Sequence, residues 1–497
     1  MELIKALISI YDNRKLQKKI QIFNDDSHGL LFKIFIDLIK ENPNIEEEVL
    51  IKKLYGKSKL NISAYLKLKE RLVNKLTNII LLVDAKDYGF TELYQTYIQL
   101  HKELLIGRIL TSSGNAVLGN AIIDKTMKLA LKYEFSDLQL LISRLQASHY
   151  GNIMQDSKKY EYFNDHLNSS LNRLMIESKL RQNVDEIHNY RYKELKLQSE
   201  HEINFDTYIQ YGLSVIASTE YVQIRETAYN LILNCYFLTR NREKYLSTGN
   251  DLIAFFKTKG KIGLPSLRKS VVDMIIGSFP LRLYELGENL FEEYLDLFTS
   301  KMHNWYAMHY YMILMYLHQR KYLKAKNLTN QCLASTYFKS QSPVMQQHIY
   351  VATAYTTYVL NEDNKLKTDN PFRINKFIND VPVFNKEKRG MNISILIIQA
   401  AFLIQQGKAE QLVDRIEALN QYAYRYLRKT ELWRSSCFIK MLSTLVKFDF
   451  NKKWAAPRIK PLYDKLISVP IDAYPTSIEI EIIPYEDLWE LILGHLK

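Results

Sequence analysis

The residues most able to ligate a metal or act as nucleophiles are eleven histidines and three cysteines, spread over 497 residues. The nearest approach to a ligand set is His303 with His309 and His318. Their steps of six and nine residues put them on different faces of a helix, so they do not converge on one ion. Cys235, Cys332 and Cys437 stand about a hundred residues apart, each inside a helical pattern. That pattern reads as small buried side chains in a reducing compartment, not as disulfides or catalytic thiols. The sequence holds no glycine-rich phosphate loop, no Gly-x-Ser-x-Gly, no His-Glu-x-x-His and no Cys-x-x-Cys. No catalytic residue, metal site or cofactor is therefore assigned, and the expectation is a protein that is not an enzyme.

Charge gives two further candidates. The chain carries a formal net charge of +13, which favours acidic partners and says nothing of the fold. Between Ile51 and Leu76 eight Lys or Arg face one acid, Glu70. Lys57 and Lys59 fall in a turn, and Lys67, Arg71 and Lys75 follow at steps of four along one helix face. In a helix-turn-helix arrangement such a helix would enter a groove while the turn lysines hold phosphates, so these five are the candidate nucleic-acid contacts. A solvated helix face is the competing reading. Residues 425–465 hold eleven Lys or Arg against three acids, interleaved with aromatics such as Trp433, Phe438 and Trp454. Arg425, Arg428, Lys429, Arg434, Lys440, Lys452 and Lys453 are the candidate groove contacts for an acidic peptide or a nucleic-acid strand. The competing reading there is aromatics packed between helices and cations coating the outside.

The elements that must position these residues are helices. Tyr65, Leu68, Leu72, Leu76, Ile79 and Val83 recur at steps of three and four, with charged and amide residues between them. Strand-like alternation is confined to Ser477–Ile483. Only 16 residues are Gly, well under the usual share of about 7%, which argues against β-rich and nucleotide-binding α/β folds. The apolar run Ile79–Val83 is too short to span a bilayer, and the N-terminus lacks the apolar core of a secretory signal. A cytoplasmic location is expected.

A repeat emerges when 235–245 (CYFLTRNREKY), 315–325 (MYLHQRKYLKA) and 401–411 (AFLIQQGKAEQ) are aligned. Tyr236, Tyr316 and Phe402 are each followed four residues later by a polar residue: Arg240, Arg320 or Gln406. Further units at Tyr150, Tyr192, near Ile276 and at Tyr358 give a spacing of about 40 to 44 residues over roughly 100–468. The unit Tyr311–Cys332, with Tyr316, Tyr322, Ala325 and Cys332, resembles a tetratricopeptide repeat, although its Trp-Leu-Gly-Tyr signature is incomplete and its period is longer than 34; an armadillo- or HEAT-like array is the alternative at this spacing. The stretch Asp380–Gln399 resembles a segment of uncharacterised bacterial helical-repeat proteins and brings no function with it.

The expected fold is all-α: an α-solenoid of stacked antiparallel helix pairs, tetratricopeptide-like, behind a small N-terminal helical or winged-helix-like domain. Residues 1–90 form that domain, 91–468 the array and 469–497 an acidic helix capping its open end. A loop or hinge is expected at 257–268, where two Gly and a Pro cluster, and an extended connection at 361–391. This architecture implies a non-catalytic scaffold or adaptor that holds a protein or peptide partner in a concave groove, an inference from fold. Two alternatives are a nucleic-acid-binding regulator with a solenoid sensor, and a non-catalytic subunit of an enzyme complex. No membrane association is expected.

Overall fold

A computed structural model describes residues 1–11, 29–56, 62–82, 90–192, 203–360, 389–426, 433–471 and 481–496. Of these, 84% are helical and none is in a strand. The basic turn residues Lys57 and Lys59, the groove candidates Arg428 and Lys429, and most of the connection 361–391 lie outside the described residues, as does most of the alternating run 477–483.

The chain divides into two compact units, 1–171 and 172–497. The first begins with α1 (Glu2–Tyr11), α2 (Gly29–Glu41), α3 (Glu47–Tyr55) and α4 (Ile62–Leu82). Helix α4 packs on α1 and buries Tyr65, Leu68, Leu72 and Leu76, the stripe its sequence shows, against Phe35, Ile39 and Leu50. Next come α5 (Glu92–Ser112), α6 (Ala116–Lys132) and α7 (Ser136–Ser148), which pack in succession. Glycine permits the closest of these contacts. A Cβ on Gly119 would stand 2.5 Å from the Gly107 carbonyl oxygen, so the backbones of α5 and α6 touch there. Helix α8 (Ser157–Tyr192) contains the division at 171.

The second unit continues with α9 (Phe205–Ser218), α10 (Val222–Leu238), α11 (Arg242–Thr258), α12 (Gly260–Ser278), α13 (Tyr284–Tyr294), α14 (His303–His318), α15 (Tyr322–Ala334) and α16 (Pro343–Val359). It ends with α17 (Arg389–Gln405), α18 (Ala409–Tyr426), α19 (Trp433–Lys447), α20 (Lys452–Ser468) and α21 (Tyr485–Gly494). Consecutive helices pack as pairs, and α10, α12, α14, α16 and α17 also touch one another in sequence, forming a continuous row. One hydrophobic core runs from Val222 to Ile492, as expected when no single pair can bury its own apolar face.

How the helices end reveals the repeat. After α10 the Asn241 N–H reaches back to the Tyr236 carbonyl, and Arg240 takes the left-handed conformation. The same closure follows α12 at Arg282, α14 at Arg320, α17 at Gly407 and α19 at Asp449. This is the Schellman motif. Its left-handed residues stand 42 and then 38 residues apart along α10, α12 and α14, and 42 apart between α17 and α19. The closures also correct one alignment. Tyr236 and Tyr316 accept equivalent bonds, but in the third unit the equivalent acceptor is Leu403, so Phe402 is one residue out of register.

One other expectation changes. The segment 257–268 is helical except at Lys259, which alone separates α11 from α12. Gly260, at φ +56, makes the tight reversal, and Pro265 is accommodated near the start of α12, where few backbone bonds depend on it. The acidic C-terminal helix α21, expected as an end cap, packs on α17, α19 and α20, and its Asp487 pairs with Arg320 after α14 at 2.6 Å.

Candidate functional site

The row of helices in the second unit borders a cavity of about 580 Å³. Helix α8 contributes Val184, His188 and Arg191; α10 contributes Asn230, Leu233, Asn234 and Phe237. From α11 come Tyr245 and Leu252, and from α12 come Lys269, Ser270, Asp273 and Met274. Arg282, Tyr284, Tyr311 and His318 border another part, with Arg434, Ile471 and Glu481. The size suits a small molecule or a short stretch of peptide, and the mixture of apolar wall and few polar groups is that of a ligand pocket.

The polar groups near Glu481 are used within the fold. The Arg434 Nε–H donates to Glu481 Oε1 at 2.6 Å, and Nη2 donates to Glu481 Oε2 at 3.1 Å and to Glu486. Its Nη1 donates to the carbonyls of Leu466 at 2.9 Å and Val469 at 2.7 Å. Glu481 in turn accepts the Tyr485 N–H at the start of α21. Burial raises the pKa of Glu481 against the pull of Arg434. The sequence offers Arg434 as a groove contact, but the structure leaves it 8% exposed and makes it an internal staple between α19, the end of α20 and the start of α21. Burying a charge requires such partners, and Arg434 finds them in acids nearly fifty residues away.

His318 is held in the same region. Its Nε2–H donates to the Glu481 backbone carbonyl at 2.7 Å, which leaves Nδ1 to accept the Tyr284 hydroxyl at 3.1 Å. Burial lowers its pKa to about 4. His309 is lowered to about 4 for the same reason, and its Nδ1–H donates to the Trp305 carbonyl at 2.8 Å. His303 opens α14, and among the described residues no group of three or more His, Cys, Asp or Glu could hold a metal ion. The three cysteines are buried and unpaired; burial pushes the Cys235 thiol up to about 12 and raises Cys332 and Cys437 as well.

At the other part of the cavity Lys269 bridges two carboxylates, Glu226 at 2.9 Å and Asp273 at 3.4 Å. Burial raises the pKa of Asp273, Lys269 opposing it. Burial also opposes the charge of Lys269, yet the two acids hold its pKa above the usual lysine range. Nothing in a sequence marks these residues as neighbours: Arg191, Tyr245 and Asp273 come from three helices, and only their packing assembles them. Gly277 permits one of these approaches, because a Cβ there would stand 2.0 Å from the Tyr245 hydroxyl oxygen.

None of the other described candidates from sequence is among the residues that line this cavity. Lys67 and Arg71 are exposed on α4, opposite its buried stripe, whereas Lys75 is half-buried with Nζ 5.7 Å from the centre of the Phe32 ring. Lys69, outside the candidate set, pairs with Glu47 at 2.7 Å. Lys440 is exposed on α19, and Lys452 and Lys453 are exposed in the first turn of α20. Arg425 belongs to α18. Among the described residues no helix is long and apolar enough to cross a membrane. Comparison with protein-family models, curated proteins and solved structures finds no match for this chain.

Proposed function

We propose that this chain is a non-catalytic, tetratricopeptide-like scaffold of the cytoplasm that holds a protein or peptide partner on the helix row of its second unit, around the cavity. One observation carries the reading. The cavity is rich in aromatic, amide and guanidinium groups, and two of its titratable side chains are engaged within the fold: His318 uses both ring nitrogens and Glu481 is held in the Arg434 fork. A lining of this composition supports recognition of a ligand or peptide.

The test is affinity purification from the native cell with and without nuclease, comparing the wild type with a rim double variant, His188→Glu and Arg282→Glu. The expected result is a protein partner retained through nuclease treatment and lost with the rim variant. A second reading, nucleic-acid binding, is favoured by the exposure of Lys67 and Arg71 on one side of α4. It predicts a complex that nuclease dissolves and that the rim variant leaves intact.

A further inference from the structure

Two opposite charges border the same cavity without meeting. Arg191 lays its guanidinium over the Phe237 ring, 4.4 Å from its centre, and has no carboxylate partner among the described residues. That stacking fixes the plane of the fork and leaves its N–H edge available. Asp273, across α12, has Lys269 as its cation, but Lys269 lies closer to Glu226, so two carboxylates share one ammonium. Both Asp273 and Arg191 act electrostatically on the hydroxyl of Tyr245. This ring is 4% exposed. The Ser270 hydroxyl, on α12 with Asp273 and lining the same cavity, is buried without a hydrogen-bond partner among the described residues. A buried hydroxyl normally finds a partner, so Ser270 marks a place where a ligand supplies one. Leu233, Leu252 and Met274 add an apolar wall.

We infer that the cavity binds a zwitterionic amino acid with an apolar side chain: its carboxylate at Arg191, its ammonium at Asp273, and its side chain against Leu233, Phe237, Leu252 and Met274. The inference rests on the cavity being a binding site and goes beyond the holding of a macromolecular partner. A ligand with both charges satisfies both walls at once, whereas an amine or an acid alone leaves one of them uncompensated. The Ser270 hydroxyl then donates to the ligand carboxylate or accepts from its ammonium.

Isothermal titration calorimetry with L-phenylalanine, phenethylamine and 3-phenylpropanoate tests this on the full chain. L-Phenylalanine is expected to bind at least tenfold more tightly than either one-charge analogue. Arg191→Gln should weaken L-phenylalanine at least tenfold and leave phenethylamine unchanged. Asp273→Asn should weaken L-phenylalanine and leave 3-phenylpropanoate unchanged, with far-ultraviolet circular dichroism verifying the fold of each variant. The inference is overturned if neither L-phenylalanine nor L-leucine binds at millimolar concentration, or if the one-charge analogues bind as well as the zwitterion. Failure here with partner capture still dependent on His188 and Arg282 removes the ligand class alone. Amino-acid binding with partner capture indifferent to the rim removes the scaffold reading alone.

Discussion

At the scale of single residues, Arg434 and the two buried histidines make the sharpest predictions. Replacing Arg434 by Met keeps much of its length but leaves Glu481 and Glu486 without their cation. Breaking a buried pair from one side typically costs about 3–5 kcal/mol, to be read from urea unfolding at pH 7. A loss within experimental error would mean that the fork contributes nothing net. Burial lowers the pKa of both His318 and His309 in the folded protein to about 4, below the ordinary histidine value of 6.5. Unfolded chain therefore binds more protons than folded chain between these values, so stability is full above about pH 6.5 and falls as pH drops toward 4. Each histidine accounts for up to about 3 kcal/mol across that window, since one pKa unit is about 1.4 kcal/mol. His318→Gln is expected to flatten the dependence by about one proton, measured by unfolding at a series of pH values. A slope unchanged by the substitution would show that His318 titrates normally.

At the scale of elements, the helix terminations set the repeat, and several of them lack the glycine that usually marks such a position. Arg240 takes a left-handed φ of 55 at the end of α10, and Arg282 and Arg320 do so after α12 and α14. An L-residue in that conformation costs roughly 1–2 kcal/mol relative to the right-handed helix, a cost that glycine avoids. Arg240→Gly should therefore stabilise the protein by about 0.5–1 kcal/mol, the higher backbone entropy of glycine in the unfolded chain offsetting part of the relief. At Arg320 the same change should gain less, because it also removes pairs with Asp487 and Glu490. Thermal unfolding of the two variants side by side checks the contrast, and destabilisation at Arg240 would refute the strain argument. These closures also explain the misaligned third unit. Its left-handed position is Gly407, one place later than the polar residue that the sequence alignment pairs with Arg240 and Arg320.

At the scale of the whole molecule, the net charge of +13 makes weak attraction to nucleic acid the natural background against which specific binding must be judged. If α4 is a duplex DNA interface, each phosphate contact by Lys57, Lys59, Lys67, Arg71 or Lys75 adds about 0.9 to the salt slope of the binding constant. Neutralising all five should flatten that slope with no loss of helix content, because Tyr65, Leu68, Leu72 and Leu76 carry the packing of α4. No binding by the wild type at low salt would dispose of this interface. A slope untouched by the substitutions would move attention to the exposed Lys440, Lys452 and Lys453.

The fold class was legible because it rests on local facts. Apolar steps of three and four, scarce glycine and a recurring helix end of about 40 residues all lie within short windows of chain, and they suffice to specify paired helices. The buried face of α4 was legible for the same reason. Helix continuity through Gly263 and Pro265 was not, since local propensity yields to packing when neighbouring helices hold the backbone. Nor was the fate of Arg434, which reads as one more cation in a basic stretch until Glu481 and Glu486 fold back onto it. The cavity is the clearest case of what tertiary structure alone decided. Arg191, Tyr245 and Asp273 have no common spacing or motif, and their meeting depends on how α8, α11 and α12 stack, a long-range arrangement that no window of sequence encodes.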